Sequence, residues 1–450
     1  MNGFISKNQK VIRHFIILVL LTFFAVFMRH VDIRSYYQES GLINFSFGFI
    51  LLFAYAFSRV LKIFNLPLIT GYIFAGIIAG PSLSGFLSAD MLQKFRFIDD
   101  LALSYIAMNA GGELKLNSLK IRKNAIFINI FLQVTIIFIV IYFFIGFGSD
   151  YFAFTKALLP VQISALAILL GVIAIARSPA STIAIINETN ASGNFTDMVL
   201  GVTVIKDVLI IIFFTIALSI TKITITGDGA IDYNLFLALF GEIVAAIFIG
   251  MLLGKAISHY ILKIGRDNIV FLILFGFGIT KLSLWFSGFS ESYFHISIHL
   301  EPLLICISTG FTIQNFSKAG PIFMESLHKI ALPIYILFFS LAGATLNLEA
   351  LKLCWPLAVL YVIFRICGIF ISTYLAGRIN KDPVTHNQVA WMAYITQAGV
   401  AIGLAQLAGR QFPEIGKFLI TVVLAVTTIN QIIGPVLFKK ALHQVGEAKA

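Results

Sequence analysis

The stretch Ala110-Gly-Gly-Glu-Leu-Lys-Leu-Asn-Ser-Leu-Lys120 has a counterpart far along the chain, Ala342-Gly-Ala-Thr-Leu-Asn-Leu-Glu-Ala-Leu-Lys352. Six of the eleven positions are identical: Ala, Gly, three Leu and Lys. Each copy closes an apolar segment where polar chain resumes. Chance similarity between apolar runs is the competing account. The repeat reading predicts more, and its consequences are visible on either side.

Working outward, the sequence divides into apolar runs of the length a bilayer core requires, about 20 residues for a helix. Fourteen candidate spans are found: 12–29, 42–61, 66–80, 97–113, 124–147, 160–186, 196–220, 233–258, 268–287, 297–316, 330–348, 352–377, 386–408 and 416–438. The third is short and Gly-rich (Gly71, Gly76, Gly80) and is stopped by Pro81. The first follows Lys7, Lys10 and Arg13 like a secretory signal, but its apolar run is long and no small-residue cleavage site follows. The two repeat copies end spans four and eleven. Seven spans separate them, an odd number, so the copies run in opposite directions through the membrane. That is the pattern of an inverted-topology repeat.

Composition agrees. Of 450 residues, 59% are apolar and only 12% charged, and Phe alone counts 45. So few charges cannot clothe a soluble surface, which excludes a disordered chain, a disulfide scaffold and an ordinary soluble enzyme. The net charge of +11 belongs in cytoplasmic loops rather than to nucleic-acid binding. Lys115, Lys120, Arg122 and Lys123 in one short loop, with Lys439 and Lys440 near the end, bias the positive charge to the side of the N-terminus. The expectation is a multi-pass protein, in a bacterial inner membrane, with both termini cytoplasmic. Cys306, Cys354 and Cys367 form no CxxC and read as small core residues. No GxGxxG or P-loop is present, and nothing calls for a cofactor.

The repeat requires spans six and thirteen to correspond, and both are interrupted. Span six contains Ala176-Arg177-Ser178-Pro179-Ala180-Ser181-Thr182, and span thirteen contains Thr396-Gln397-Ala398-Gly399. Pro179 removes a backbone donor and disfavours helix at Ser178. Paired breaks in corresponding positions point to a transport site. A simple proline kink satisfied by Ser178 and Thr182 is the alternative.

Four of the charges inside the spans stand out. Asp207 lies near the centre of span seven with Lys206 beside it, Arg365 lies near the centre of span twelve, and Arg177 stands at the first break. Each costs roughly 2.5–3.5 kcal/mol on insertion scales, so each needs a purpose. Lys206 and Asp207 differ by about 100° around a helix and face different neighbours. Thr203 lies one turn before Asp207. A carboxylate beside unwound helices suits a small cation, with hydroxyls and carbonyls as further ligands. Occupied by either a metal ion or a proton, never both, it suffices for coupled exchange. An ion pair locking Asp207 to Arg365 is the competing reading.

Weaker constellations read as structural. His295 and His299, followed by Glu301, lack the Glu beside the first His that a metalloprotease helix needs. Asp99 and Asp100 read as a helix start, and Glu113 as a surface pair with nearby cytoplasmic lysines.

Together these motifs resemble the monovalent cation:proton antiporter superfamily, its second branch, over about residues 42–440. Pro67-Leu-Ile-Thr-Gly-Tyr-Ile-Phe-Ala-Gly-Ile-Ile-Ala-Gly-Pro81 is similar to that family's opening helix. Gly111-Gly-Glu-Leu114 resembles its GLEL signature, Phe338-Phe-Ser-Leu-Ala-Gly343 its FFxxxG element, and Arg365-Ile-Cys-Gly368 its KxxG element. Val204-Ile-Lys-Asp-Val208 stands where the family has two adjacent acids. The resemblance implies an all-α sodium/proton antiporter-like fold with two crossed, discontinuous helices. It implies a homodimer in the lipid bilayer, in which a core domain moves like an elevator against a dimerisation part. Residues 1–41 would add an extra helix and outer loop, 42–440 would form the transporter with its core at about 97–220 and 330–440, and 441–450 a short cytoplasmic tail. By position, Asp207 matches the aspartate that takes Na⁺ or K⁺ and protons, and Arg365 the basic residue that pairs with the acidic site. Ser178 and Thr182 match the first crossover.

The departures are as informative. Lys206 replaces the first acid, Arg177 replaces the crossover threonine, and Thr396-Gln397-Ala398-Gly399-Val400 replaces PRGEV, losing an Arg and a Glu. One carboxylate therefore faces up to three basic groups. Lys206 reads as a proton carrier or as a built-in substitute for the cation. The candidate ion and proton site is Asp207, Lys206, Ser178, Thr182 and Thr203, with Arg365, Arg177, Gln397 and Glu113 as pairing or gating groups. Three functional readings follow: monovalent cation/proton exchange at Asp207, carriage of an anionic solute on the same scaffold, or a transport-silent sensor locked by ion pairs.

Overall fold

The computed structural model describes residues 15–23, 39–64, 66–148, 151–152, 155–156, 158–226, 233–294 and 300–449. Residues 15–23 of the first predicted span are helical; the rest of that span, and His295 and His299, lie outside the described residues. Every regular element among them is a helix: α1 (Glu39–Leu61), α2 (Leu68–Ala79), α3 (Ala89–Lys94), α4 (Arg96–Glu113), α5 (Leu116–Gly148), α6 (Pro160–Ile173), α7 (Pro179–Thr189), α8 (Asn194–Thr226), α9 (Tyr233–Lys263), α10 (Asn268–Phe294), α11 (Pro302–Phe316), α12 (Gly320–Ala344), α13 (Leu348–Asn380), α14 (Val384–Val389), α15 (Gly399–Gln411) and α16 (Pro413–Gln444). Eight of the described helices are long and apolar enough to cross a membrane, and α2, α6 and α11 are shorter apolar helices.

Two predicted spans divide as their sequences require. Span six becomes α6 and α7. Pro179 opens α7 at a position where its missing N–H costs nothing, and Ser178 caps it by accepting from Ser181 N at 3.2 Å. Span thirteen becomes α14, a 3₁₀ turn over Ala390–Tyr394, a non-helical residue at Ala398, and α15. Elsewhere helices outrun the apolar runs. α5 begins at Leu116 and α12 at Gly320, each several residues early. Lys, Arg and Glu are good helix formers, and Glu325–Lys329 adds an i,i+4 pair at 2.9 Å, so helix persists where hydrophobicity stops. Cys306 and Cys354 are buried as expected, but Cys367 is exposed, on the outward side of α13.

The chain forms two compact units. One holds the residues up to Ala102 with Ile330–Asn347; the other holds Leu103–Lys329 with Leu348 onward. In the first, Ile50, Ala79, Leu87, Phe95, Ile98, Leu341 and Ala344 build the core. In the second, α13 lies along α5 and α16, α6 is flanked by α5 and α8, and α9 packs on α11.

The repeat appears in how glycines permit backbone contact. In the first unit, Gly76 of α2 lies against the Ser340 carbonyl of α12, and Gly343 against that of Ile73. In the second, Gly310 of α11 lies against the Met108 carbonyl of α4, and Gly111 against that of Ile307. Gly111 and Gly343 are the glycines aligned by the sequence repeat, and Met108 and Ser340 occupy equivalent places three residues before them. The same crossing is built twice, and neither leaves room for a Cβ.

One further brace secures the helix that carries Asp207. Glu447 accepts from Phe195 N at 2.8 Å, and from Thr196 N and Oγ1, both at 2.7 Å. It thereby caps the N-terminus of α8 with a charge the helix dipole favours. Lys439 pairs with Glu188 of α7 at 3.0 Å, both half-sheltered, and Lys449 N donates to Thr189 O at 2.9 Å.

Gly310→Ala is expected to destabilise the protein by about 1–3 kcal/mol through overpacking. In thermal unfolding in detergent, followed by intrinsic fluorescence, its midpoint should fall by several degrees. Gly278→Ala on α10, with no atom within 4 Å of the added methyl, should match or exceed wild type.

Candidate functional site

Breaking two helices frees backbone groups that lipid cannot satisfy. The structure brings the two breaks together: Ser178 N donates to Thr396 O at 3.0 Å. Much of the remaining deficit falls to one side chain. Arg365, from the middle of α13 and 1% exposed, donates Nε to Ala174 O (2.7 Å), Nη1 to Ile395 O (2.7 Å), and Nη2 to Ala176 O (3.2 Å) and Tyr394 O (3.5 Å). A planar cation with five donors thus caps carbonyls from both breaks at once. Tyr361, one turn earlier, donates to Leu170 O at 2.9 Å. Gln397 completes the joint: its Nε2 donates to Ile173 O at 3.1 Å, and its Oε1 accepts from Asn430 of α16 at 2.8 Å.

Arg177 is also buried, at 2% exposure. It donates to Thr203 Oγ1 of α8 and Thr182 Oγ1 of α7, and to Ala393 O at 2.6 Å. Its guanidinium carbon lies 4.8 Å from the centre of the Tyr394 ring. Lys206 turns away from its neighbour. Its Nζ donates to Gln133 Oε1 of α5 at 2.7 Å and lies 5.6 Å from the same Tyr394 ring. Gln133 in turn donates to Asn129 at 2.9 Å. Tyr394 presents its π face to both cations, an electrostatic attraction that partly replaces their lost hydration.

Asp207 stands apart from this network. Among the described residues no ion pair joins it to Arg177, Lys206 or Arg365 within 4 Å, and its Oδ1 is buried without a hydrogen-bond partner. Arg365, which the resemblance would pair with the acidic site, is spent on carbonyls instead. The reason is geometric: all three of its nitrogens already donate to carbonyls. The cations are turned onto neutral acceptors, and the acid keeps an unfilled acceptor, as does Asn430 Oδ1 of the same joint.

The predicted residues therefore sort by place. Lys206, Thr203, Arg177, Thr182, Ser178, Arg365 and Gln397 meet at the two breaks, and Asp207 lies one turn beyond Thr203 on α8. Glu113 does not join them; it ends α4 and sits 3.3 Å from His328 of α12 rather than on the lysines that follow it in sequence. Sequence reasoning passed over Gln133, Asn129, Asn430 and Tyr394. The first three are amides inside apolar spans and could have been found by the same midplane rule that found the charges.

Multiple apolar helices, two of them broken, with charged groups drawn to the joint between the breaks, define a polytopic carrier. The transmembrane sodium/hydrogen exchanger family matches residues 48–440, and the chain belongs to that family. It is accordingly a membrane-embedded secondary transporter of cations and protons, and no enzyme. No curated protein sequence matches it. Among solved structures it is similar to the sodium proton antiporter MjNhaP1 from Methanocaldococcus jannaschii. Against the structure at pH 8 the TM-score is 0.61 at 16% identity, covering 91% of this chain and 96% of that one. Against an electron-microscopy structure of the same antiporter it is 0.65 at 17% identity, covering 92% and 100%. The fold is that of this antiporter.

Arg365→Lys should be the most damaging conservative change at the joint. A lysine cannot span carbonyls on both breaks, and the stranded acceptors should cost about 3 kcal/mol. Lys206→Met removes a buried charge along with its single partner bond and should cost far less, or stabilise. Heating followed by size-exclusion chromatography would rank the two; equal losses would contradict the assigned roles.

Proposed function

We propose that Asp207 is the exchange site of a monovalent cation/proton antiporter, working by elevator-type alternating access in a homodimer. The observation that carries this reading is the condition of the carboxylate. It lies one helical turn from Thr203 beside two unwound segments, with a buried oxygen that no described protein group satisfies. A carboxylate in that state gains either from a proton or from a small cation, and each excludes the other. The reading of an ion-pair lock has less support, since the three basic groups spend their hydrogen bonds on Gln133, on threonines and on carbonyls. The same commitments weigh against an anion pocket. The bias of Lys and Arg toward one side supports an inner-membrane protein with cytoplasmic termini.

With one acid in place of two, the exchange is one cation for one proton and moves no net charge. In proteoliposomes carrying a pH-sensitive dye, Na⁺, Li⁺ or K⁺ should discharge an imposed proton gradient, and Asp207→Asn should reduce this to the level of empty vesicles. Clamping the membrane potential should leave the initial rate unchanged. Because proton and metal ion compete for one group, the half-saturating cation concentration should rise about tenfold for each unit by which pH is lowered on the acid side of its titration. Exchange that persists in Asp207→Asn would overturn the assignment.

A further inference from the structure

Three oxygens converge on the Arg177 guanidinium, from three different elements: Thr203 Oγ1 on α8, Thr182 Oγ1 in the first turn of α7, and Ala393 O in the 3₁₀ turn of the second break. The two hydroxyls are pre-oriented. Thr203 donates its proton to Val199 O, and Thr182 donates its own to Ser178 O at 3.0 Å. Both therefore offer only lone pairs to whatever occupies the space between them. Two hydroxyls and a backbone carbonyl are hard, neutral, oxygen-only ligands. This is the ligand type an alkali metal ion takes, and a carboxylate waits one turn away.

The guanidinium fills this space imperfectly. Its Nε is buried and has no partner among the described residues. All three nitrogens of Arg365, equally buried, donate to carbonyls. Arg365 is matched to its surroundings; Arg177 occupies a cage that leaves its buried Nε unused.

We propose that Arg177 is a tethered cation occupying an oxygen cage formed by Thr203, Thr182 and Ala393 O, and that it competes there with an alkali metal ion. The inference deepens the exchange reading by naming the ligands beside Asp207 and the group an incoming ion must displace. It moves the role of built-in cation from Lys206, which is committed to Gln133, to Arg177. Arginine cannot escape by losing its proton, so displacement requires the side chain to leave the cage.

The test is direct binding to purified protein in detergent, read as thermal stabilisation across titrations of NaCl, LiCl and KCl at constant ionic strength with choline chloride. Arg177→Ala is expected to show saturable stabilisation by at least one alkali cation at a concentration at least tenfold below that needed by wild type. Adding Thr203→Val to Arg177→Ala should abolish the gain. Equal half-saturation in wild type and Arg177→Ala, or a gain that survives Thr203→Val, would overturn the proposal. Should Arg177→Ala not give monodisperse protein, Arg177→Gln is judged by the same criteria. Proteoliposome exchange separates this from the wider reading. A new cation site in Arg177→Ala with no Asp207-dependent exchange in wild type would keep the cage and discard the antiport. Intact exchange with unchanged affinity would do the reverse.

Discussion

Everything at the centre of this protein depends on one substitution of partners: carbonyls released by unwinding two helices in an apolar medium are taken up by Arg365. A broken helix inside a membrane is untenable unless its freed backbone groups find donors within the protein. One guanidinium supplies four contacts to both breaks, and Gln397, Asn430 and Tyr361 add neutral bonds around it. The charge is buried, but it is spread over several carbonyl dipoles, which is how a buried cation becomes tolerable without a counter-ion.

That arrangement explains how three cations and one carboxylate coexist without collapsing into salt bridges. Each basic group has a neutral destination: Arg365 the freed carbonyls, Lys206 the Gln133–Asn129 amides, Arg177 two threonines and a carbonyl. Tyr394 faces two of them with its ring. Asp207 keeps an acceptor unfilled. Ion pairing would have been worth much in a low dielectric, but it would have consumed the group available to a mobile ion.

Much of this was legible in the sequence. The apolar runs set the helices, since lipid leaves few alternatives. Pro179 marked the first break, and the repeat located the second at Gln397. The charges at 177, 206, 207 and 365 were conspicuous because each is expensive where it lies. Pairing was not legible. Whether Arg365 faces Asp207 or a carbonyl depends on rotation of α13 against the breaks, which periodicity in a helix apolar all round does not encode. Helix ends at Leu116 and Gly320 were missed for a related reason: polarity marks the edge of the slab, while hydrogen bonding and helix propensity mark the edge of the helix. Exposed Cys367 shows the same limit, since in a membrane protein an apolar neighbourhood does not mean an interior one.

The doubled glycine crossing has a bearing on how such a chain could arise. In each crossing a helix from one half of the sequence meets a helix from the other: Gly76 and Ile73 with Ser340 and Gly343, Gly310 and Ile307 with Met108 and Gly111. Contacts exchanged in this reciprocal way obey the rule of an isologous two-fold dimer, where residue i meets j and j meets i. A half-length ancestor inserted in both orientations could have made both crossings with its own twin. Fusion of two such copies would then have required no new interface, only divergence of the breaks on either side of an already self-complementary seam.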